Sequence, residues 1–262
     1  MTGSVSHGLA LATLAGAMCI QIATNFFNDA IDSKKGADTD QRLGPVRVTA
    51  SGMMSAKAVV IVGGVFLLLA CVAAIPLIQA RGWMIVAIGL PSLFLAFGYT
   101  GGPFPLAYLG LGELFVVLFF GLVAVSGTVF VQTGEWWGSA MILGLVVGCL
   151  SAVLISINNL RDVDEDRQSN KRTLAVRWGW RKASWLVPVE VAVAAIAMTA
   201  VADQVSFVWW EVVLFAFVYA FAVYLARQVY KSRPSPFHNV LLKQAGVLLL
   251  VFGLVWQLTI FI

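Results

Sequence analysis

Long uncharged runs of apolar residues recur along this sequence and constrain its fold more than any other feature. They cover residues 8–28, 58–80, 82–112, 114–134, 136–160 and 244–262. Each supplies the roughly 20 residues that a helix needs to cross the ~30 Å apolar core of a bilayer. Of all 262 residues, 60% are hydrophobic and only 11% are charged, too few to cover the surface of a soluble domain. The composition therefore excludes a soluble enzyme or a nucleic-acid binder and indicates a membrane protein.

The apolar runs predict an all-α fold, a polytopic bundle of eight transmembrane helices. They lack the alternation of apolar and polar residues that a barrel strand shows. Backbone groups in lipid must form hydrogen bonds with each other, which leaves helices as the expected structure. Two further spans each tolerate one acidic residue, Glu190 or Glu211. We expect a single domain over residues 1–262, with spans at about 8–30, 58–80, 83–99, 112–132, 136–160, 183–202, 205–226 and 242–262.

Basic residues are confined almost entirely to three connections between these spans. All of the 17 Lys and Arg residues except Arg81 lie in 29–57, 161–182 and 227–243. With eight spans, the three connections share one side of the membrane, which the positive-inside rule identifies as cytoplasmic. We therefore expect a multi-pass protein of the inner (plasma) membrane with both termini outside. Its partners would include the lipid bilayer and no nucleic acid.

Two clusters of amide and carboxylate side chains lie where spans reach this basic side. The first span ends with Asn28, Asp29 and Asp32, and the fifth ends with residues 158–162, followed by Asp166. Within each cluster two members are four residues apart, so they share one helix face. Carboxylates at a helix C-terminus repel each other and the helix dipole, and a divalent cation relieves both costs. A few carboxylates together with substrate phosphates typically bind Mg²⁺, which makes Mg²⁺ the expected cofactor.

These motifs resemble those of the UbiA superfamily of intramembrane prenyltransferases. The family's N-D-x-x-D-x-x-x-D motif is matched at residues 28–36, with Gly36 replacing the last Asp and Asp38 two positions later. Its D-x-x-x-D motif is matched at residues 162–166. Residues 36–52, 99–113 and 158–179 are similar to the branch that prenylates 1,4-dihydroxy-2-naphthoate, although Asn170 stands where that branch usually has Gly. The family usually has nine spans with the first motif on the second, so the resemblance implies that its opening helix is absent here.

The resemblance also implies a function. It is the Mg²⁺-dependent transfer of a polyprenyl group from a polyprenyl diphosphate to 1,4-dihydroxy-2-naphthoate, with loss of CO₂ and diphosphate, giving demethylmenaquinone. The site would face the cytoplasm at the mouth of a central cavity. The implied catalytic residues are Asp32, Asp162 and Asp166. The implied metal ligands are Asn28, Asp29, Asp32, Asp38, Asp162 and Asp166. The implied substrate contacts are Asn25, Lys35, Arg42, Arg47, Tyr99, Asn159, Arg161, Lys171 and Arg172.

Several alternatives stay open at this point. The clusters could be solvated loops of mixed charge, and the acceptor could be another aromatic compound such as a benzoate. The chain could also be a catalytically silent binding partner. A membrane transporter would equally explain polar residues inside the membrane. Transporter sites, however, tend to lie near the bilayer midplane on broken helices, whereas these acidic residues gather at one face.

Overall fold

The computed structural model describes residues 5–36, 43–202, 204 and 207–261, and these ranges contain helices and connections but no β-strand. The helices are α1 (His7–Lys34), α2 (Ala56–Arg81), α3 (Trp83–Gly98), α4 (Gly112–Thr133), α5 (Gly138–Arg161), α6 (Val163–Gln168), α7 (Leu174–Trp178), α8 (Trp180–Ala183), α9 (Leu186–Ala202), α10 (Trp209–Lys231) and α11 (His238–Phe261). A short 3₁₀ turn, Leu106–Tyr108, lies in the connection between α3 and α4.

Within these ranges, seven helical segments are long and apolar enough to cross a membrane. They are α1, α2, α4, α5, the continuous pair α8 and α9, α10, and α11. The apolar helix α3 is shorter, at 16 residues, and lies where one of the eight spans was predicted. The predicted all-α transmembrane bundle is thus confirmed, and the chain is a multi-pass membrane protein.

Helix α5 is the central helix of the bundle, packed against α4, α9 and α11. Its buried residues lie on several faces, as expected for a helix surrounded by other helices. The closest approach is to α4, where a Cβ built on Gly148 would lie 2.6 Å from the backbone oxygen of Val117. The facing part of α4, Val117–Val123, is π-helical. This close packing brings the first turn of α4 beside the last turns of α5.

Helices α1 and α2 form the other closely packed pair. The Phe27 ring lies so near α2 that a Cβ on Gly63 would be 2.9 Å from it, and it meets the Phe97 ring edge-on at 5.6 Å between centroids. In the connection between α3 and α4, Tyr108 contacts Asp32 at the end of α1, and its backbone carbonyl accepts the N–H of Arg172, which follows the second motif. Both acidic motifs therefore lie at the same end of the bundle.

Candidate active site

The two acidic motifs meet at one lysine. The ammonium nitrogen Nζ of Lys171 lies 3.7 Å from Asp32 Oδ2 and 3.7 Å from Asp166 Oδ1. The two oxygens are therefore no further apart than twice that distance. Both carboxylates are buried, with Asp32 4% and Asp166 5% exposed. One carboxylate from each motif thus shares a single positive charge.

Tyr108 lies beside this ion-pair cluster and was missed in the sequence analysis. Its hydroxyl donates to Asp32 Oδ1 at 2.9 Å. The Lys35 ammonium lies 3.7 Å from the centroid of its ring, a cation–π distance. The resemblance covered residues 99–113, but of the two tyrosines in that stretch only Tyr99 was predicted as a substrate contact. The available signal was an aromatic residue in a Gly- and Pro-rich connection on the same side of the membrane as both motifs.

Asp162, the other carboxylate of the second motif, is held by its neighbour Arg161. Arg161 Nε lies 2.6 Å from Asp162 Oδ1, and Nη2 lies 2.7 Å from Oδ2. Nη2 also donates to Asn158 Oδ1 and Nη1 to Asn239 Oδ1, each at 2.8 Å. The Asn239 side-chain amide donates in turn to the backbone carbonyl of Leu43. Both oxygens of Asp162 therefore already accept hydrogen bonds from a buried guanidinium.

The upstream members of the first motif also have partners within the chain. Asp29 accepts the backbone N–H groups of Val48 at 3.0 Å and Thr49 at 3.1 Å, one on each oxygen. Asn28 Oδ1 accepts a hydrogen bond from the Thr100 hydroxyl. Asp29 therefore fixes the segment that follows Arg47. Arg47 in turn lies close enough to Lys171 to oppose slightly the rise in pKa that the neighbouring carboxylates cause in that ammonium.

The remaining predicted substrate contacts differ in their burial and in their partners. The Lys35 ammonium donates to the backbone carbonyl of Thr100 at 3.1 Å. Asn159 is buried and donates to Glu113 Oε1 at 2.9 Å. The Tyr99 hydroxyl packs against Gly112, beside Glu113.

The side chains of Asn25 and Arg172 are exposed. Asp38 and Arg42 lie outside the described residues, and the assigned roles of all these side chains stay predictions.

Burial and mutual charge shift the ionisation of the groups at this end of the bundle. Burial raises the pKa of Asp166 to about 7; Lys171 opposes this, and Asp162 and Asp32 add to it. For Lys171, burial lowers the pKa, but the carboxylates of Asp166, Asp32 and Asp162 outweigh this effect, so the pKa is raised overall. Burial and the Asp32 carboxylate raise the pKa of Tyr108. Lys171 is therefore a cation at neutral pH. Tyr108 is a neutral phenol that keeps its proton and donates a hydrogen bond to Asp32.

The described residues do not bring three His, Cys, Asp or Glu side chains together as a ready-made metal site. Asp32 and Asp166 nonetheless hold a cation between them, since the Lys171 ammonium lies there. Two carboxylate oxygens are enough protein ligands for Mg²⁺ when water and substrate phosphates supply the others. This pair of donors fits such an ion, with Lys171 standing in for its charge.

Comparison with known proteins identifies the family. A model of the UbiA prenyltransferase family matches residues 1–243. The chain belongs to this family. The family resemblance drawn from the two motifs and the predicted enzyme class, a prenyltransferase, are thereby confirmed.

Several relatives of this UbiA chain carry the name 1,4-dihydroxy-2-naphthoate octaprenyltransferase. The protein from Haemophilus influenzae is 31% identical over 88% of this chain and 77% of its own length. The protein from Mycobacterium leprae is 33% identical over 94% of this chain and 82% of its own length. The protein from Mycobacterium tuberculosis is 37% identical over 71% of this chain and 64% of its own length.

Proposed function

We propose that this UbiA-family chain transfers a polyprenyl group from a polyprenyl diphosphate to 1,4-dihydroxy-2-naphthoate, with Mg²⁺ as cofactor. The named activity of the relatives supports the acceptor. The observation that carries the reaction type is the meeting of Asp32 and Asp166, from two separate motifs, around one positive charge. The distribution of basic residues supports a site on the cytoplasmic side of the inner membrane.

In this proposal Asp32 and Asp166 supply the protein ligands of Mg²⁺. When bound, Mg²⁺ would neutralise the charge that develops on the departing diphosphate. The Tyr108 hydroxyl keeps Asp32 oriented by donating to its other oxygen, Oδ1. Lys35 and Arg47 add positive charge at the same end of the bundle and would bind diphosphate oxygens.

The proposed transfer breaks two single bonds, C1–O and C–CO₂, and forms one C–C bond. The C1–O bond of the prenyl diphosphate breaks, and its electron pair leaves with the diphosphate. The acceptor carbon that carries the carboxylate forms the new C–C bond with C1. The C–CO₂ bond then breaks, its electron pair returns to the ring, and CO₂ leaves. The immediate product is the quinol form of demethylmenaquinone, and the chain itself supplies no electrons.

Product mass tests this proposal directly. Purified protein in detergent with Mg²⁺ is incubated with labelled farnesyl diphosphate and a panel of aromatic acids that includes 1,4-dihydroxy-2-naphthoate and 4-hydroxybenzoate. We expect a prenylated naphthoquinol lacking the carboxylate, lost on addition of EDTA and restored by excess Mg²⁺. A product from a different acid would correct the acceptor. Prenyl transfer that persists in EDTA would contradict the metal-dependent mechanism.

A further inference from the structure

We propose that the Lys171 ammonium is a place-holder for Mg²⁺: it neutralises Asp32 and Asp166 while the metal is absent, and moves to the diphosphate when the metal binds. The inference rests on the proposed function, because it concerns the same metal and the same substrate. It adds that one side chain occupies two positions in turn. Lys171 thus acts as a positioning residue before it becomes a substrate contact.

The charges at the site require such a partner. Asp32 and Asp166 are buried at the end of a membrane-embedded bundle, within 3.7 Å of a common point. Two carboxylates so near each other repel strongly where water is largely excluded. A single positive charge between them removes most of this cost. When Mg²⁺ takes that position, its two charges repel the ammonium and remove the reason for it to stay.

The ion pairs of Lys171 are looser than the neighbouring ion pair of the same motif. At 3.7 Å, each Lys171 to carboxylate distance exceeds the range of an N–H···O hydrogen bond. The Arg161 to Asp162 pair, in contrast, is bidentate at 2.6 and 2.7 Å. Moving Lys171 breaks no hydrogen bond to Asp32 or Asp166, whereas moving Arg161 would break several. The difference separates a replaceable counter-ion from a fixed one.

The surrounding structure allows the side chain to move while the backbone stays in place. The Lys171 N–H donates to the Asp166 carbonyl at 2.8 Å, and the next N–H, of Arg172, donates to the Tyr108 carbonyl at 3.2 Å. Beyond this anchor, lysine has four flexible methylene groups and a compact charge. Its side chain is 17% exposed, so it already reaches solvent in part. Arg47 lies near enough to favour its departure electrostatically.

Binding of Mn²⁺, which shares the oxygen preference of Mg²⁺, tests the proposal without substrate or turnover. Electron paramagnetic resonance of free Mn²⁺ gives the dissociation constant for the wild type, Lys171→Met and a matched control, Lys182→Met. Met keeps the apolar stem and removes the charge, and Lys182 is exposed on α8, away from the cluster. We expect Lys171→Met to bind Mn²⁺ roughly tenfold more tightly, because a competing unit charge has been removed. The control should match the wild type.

A second measurement uses the wild-type protein alone, so it does not depend on the folding of a variant. A short pulse of acetic anhydride followed by peptide mass spectrometry reports the accessibility of each amine. We expect Mg²⁺ to increase acetylation of Lys171 severalfold relative to Lys182, because the amine leaves the buried site. Inorganic diphosphate added with Mg²⁺ should reduce it again. Unchanged acetylation of Lys171 would overturn the proposal.

The outcomes separate this inference from the proposed function. Equal Mn²⁺ affinity in the wild type and Lys171→Met, with binding lost in Asp32→Asn, would overturn the place-holder and leave the metal site intact. Weaker binding in Lys171→Met would also overturn it, by showing that the ammonium organises the site. Failure of both proteins to bind Mn²⁺ would remove the metal site itself, and this inference with it.

Discussion

Tyr108 contacts the candidate site through three different parts of its structure. Its hydroxyl donates to Asp32, its ring lies under the Lys35 ammonium, and its backbone carbonyl accepts the N–H of Arg172. The three contacts tie the connection between α3 and α4 to both acidic motifs. A single residue from a short 3₁₀ turn therefore links the end of α1 to the segment that follows the second motif.

Removal of the Tyr108 hydroxyl should weaken the reaction without unfolding the protein. We expect Tyr108→Phe to lower kcat/KM by about ten- to hundredfold, since a hydrogen bond to a charged group contributes about 1.5–3 kcal/mol. The ring and its contact with Lys35 would persist. Initial rates of prenyl transfer measure the effect. Tyr224→Phe, an exposed position on α10, serves as the control, and equal rates for the two variants would show that the hydroxyl plays no part.

Asp166 and its neighbour Asp164 offer a matched pair within one short helix. Asp166 is buried at the Lys171 ion pair, whereas the Asp164 side chain is 79% exposed and pairs only at 3.4 Å with Arg167. We expect Asp166→Asn to reduce turnover by on the order of a hundredfold or more, because it removes a proposed ligand of the metal that would stabilise the leaving group. Asp164→Asn should stay within about twofold of the wild type, as exposed ion pairs contribute little. Turnover measured at saturating Mg²⁺ compares the two, and a similar loss in both would refute the assignment.

At the scale of helices, the close contact between α4 and α5 determines how the site is built. The glycines at this contact let the two backbones approach so closely that an added Cβ would collide with the other helix. The contact lies at the π-helical turns of α4. The same pairing places Glu113, at the start of α4, against Asn159, near the end of α5. The position of the second motif relative to the connection that carries Tyr108 thus depends on small residues in the middle of the membrane.

A methyl group added at this contact should destabilise the bundle. A Cβ at Gly148 would lie 2.6 Å from the Val117 carbonyl, and backbone cannot move aside as a side chain can. We expect Gly148→Ala to lower the Tm in detergent by roughly 2–10 °C, from an overpacking cost of about 1–3 kcal/mol. Gly127→Ala, on the same α4 but with nothing within 4 Å of its added Cβ, should not lower it. Differential scanning fluorimetry measures both, and equal Tm values would contradict the packing argument.

The sequence was sufficient to predict the helices and the convergence of the motifs, but not the partners of each carboxylate. Apolar runs locate spans because lipid tolerates little else, and basic connections place the helix ends on one side. Whether an oxygen stays available for a ligand depends on contacts between distant residues. Asp29 is occupied by the backbone of Val48 and Thr49, and Asp162 by the side chain of Arg161. Motif spacing contains no information on these contacts, and Asp29, Asp32, Asp162 and Asp166 were all predicted as metal ligands.

At the scale of the whole molecule, the single basic residue outside the basic connections has a structural role. Arg81, at the end of α2, donates to the backbone carbonyls of Phe130, Val131 and Gln132 near the end of α4, at 2.8–3.2 Å. The Phe130 carbonyl also accepts the N–H of Gly134, but those of Val131 and Gln132 are among the groups that a helix C-terminus leaves without partners, and Arg81 satisfies them. This capping explains why a basic residue lies outside the basic connections, so Arg81 does not weaken the charge asymmetry from which the orientation of the bundle is predicted.

Cysteine labelling tests this orientation. In a variant with Cys19, Cys71 and Cys149 replaced by Ala, single cysteines are introduced at Ser235, between α10 and α11, or at Glu135, between α4 and α5. A membrane-impermeant maleimide should label the Glu135→Cys variant in right-side-out vesicles and the Ser235→Cys variant in inside-out vesicles, because positively charged connections stay in the cytoplasm. The reverse pattern would place the site on the outer face.

Asn239, at the start of α11, joins parts of the chain that lie far apart in sequence. It accepts from Arg161, behind the second motif, and donates to Leu43, in the connection after the first. These two hydrogen bonds cannot form until the start of α11 has been synthesised. During biosynthesis both aspartate motifs are therefore made well before Asn239, and a nascent chain that ends before α11 lacks these two hydrogen bonds, to Arg161 and to the backbone of Leu43.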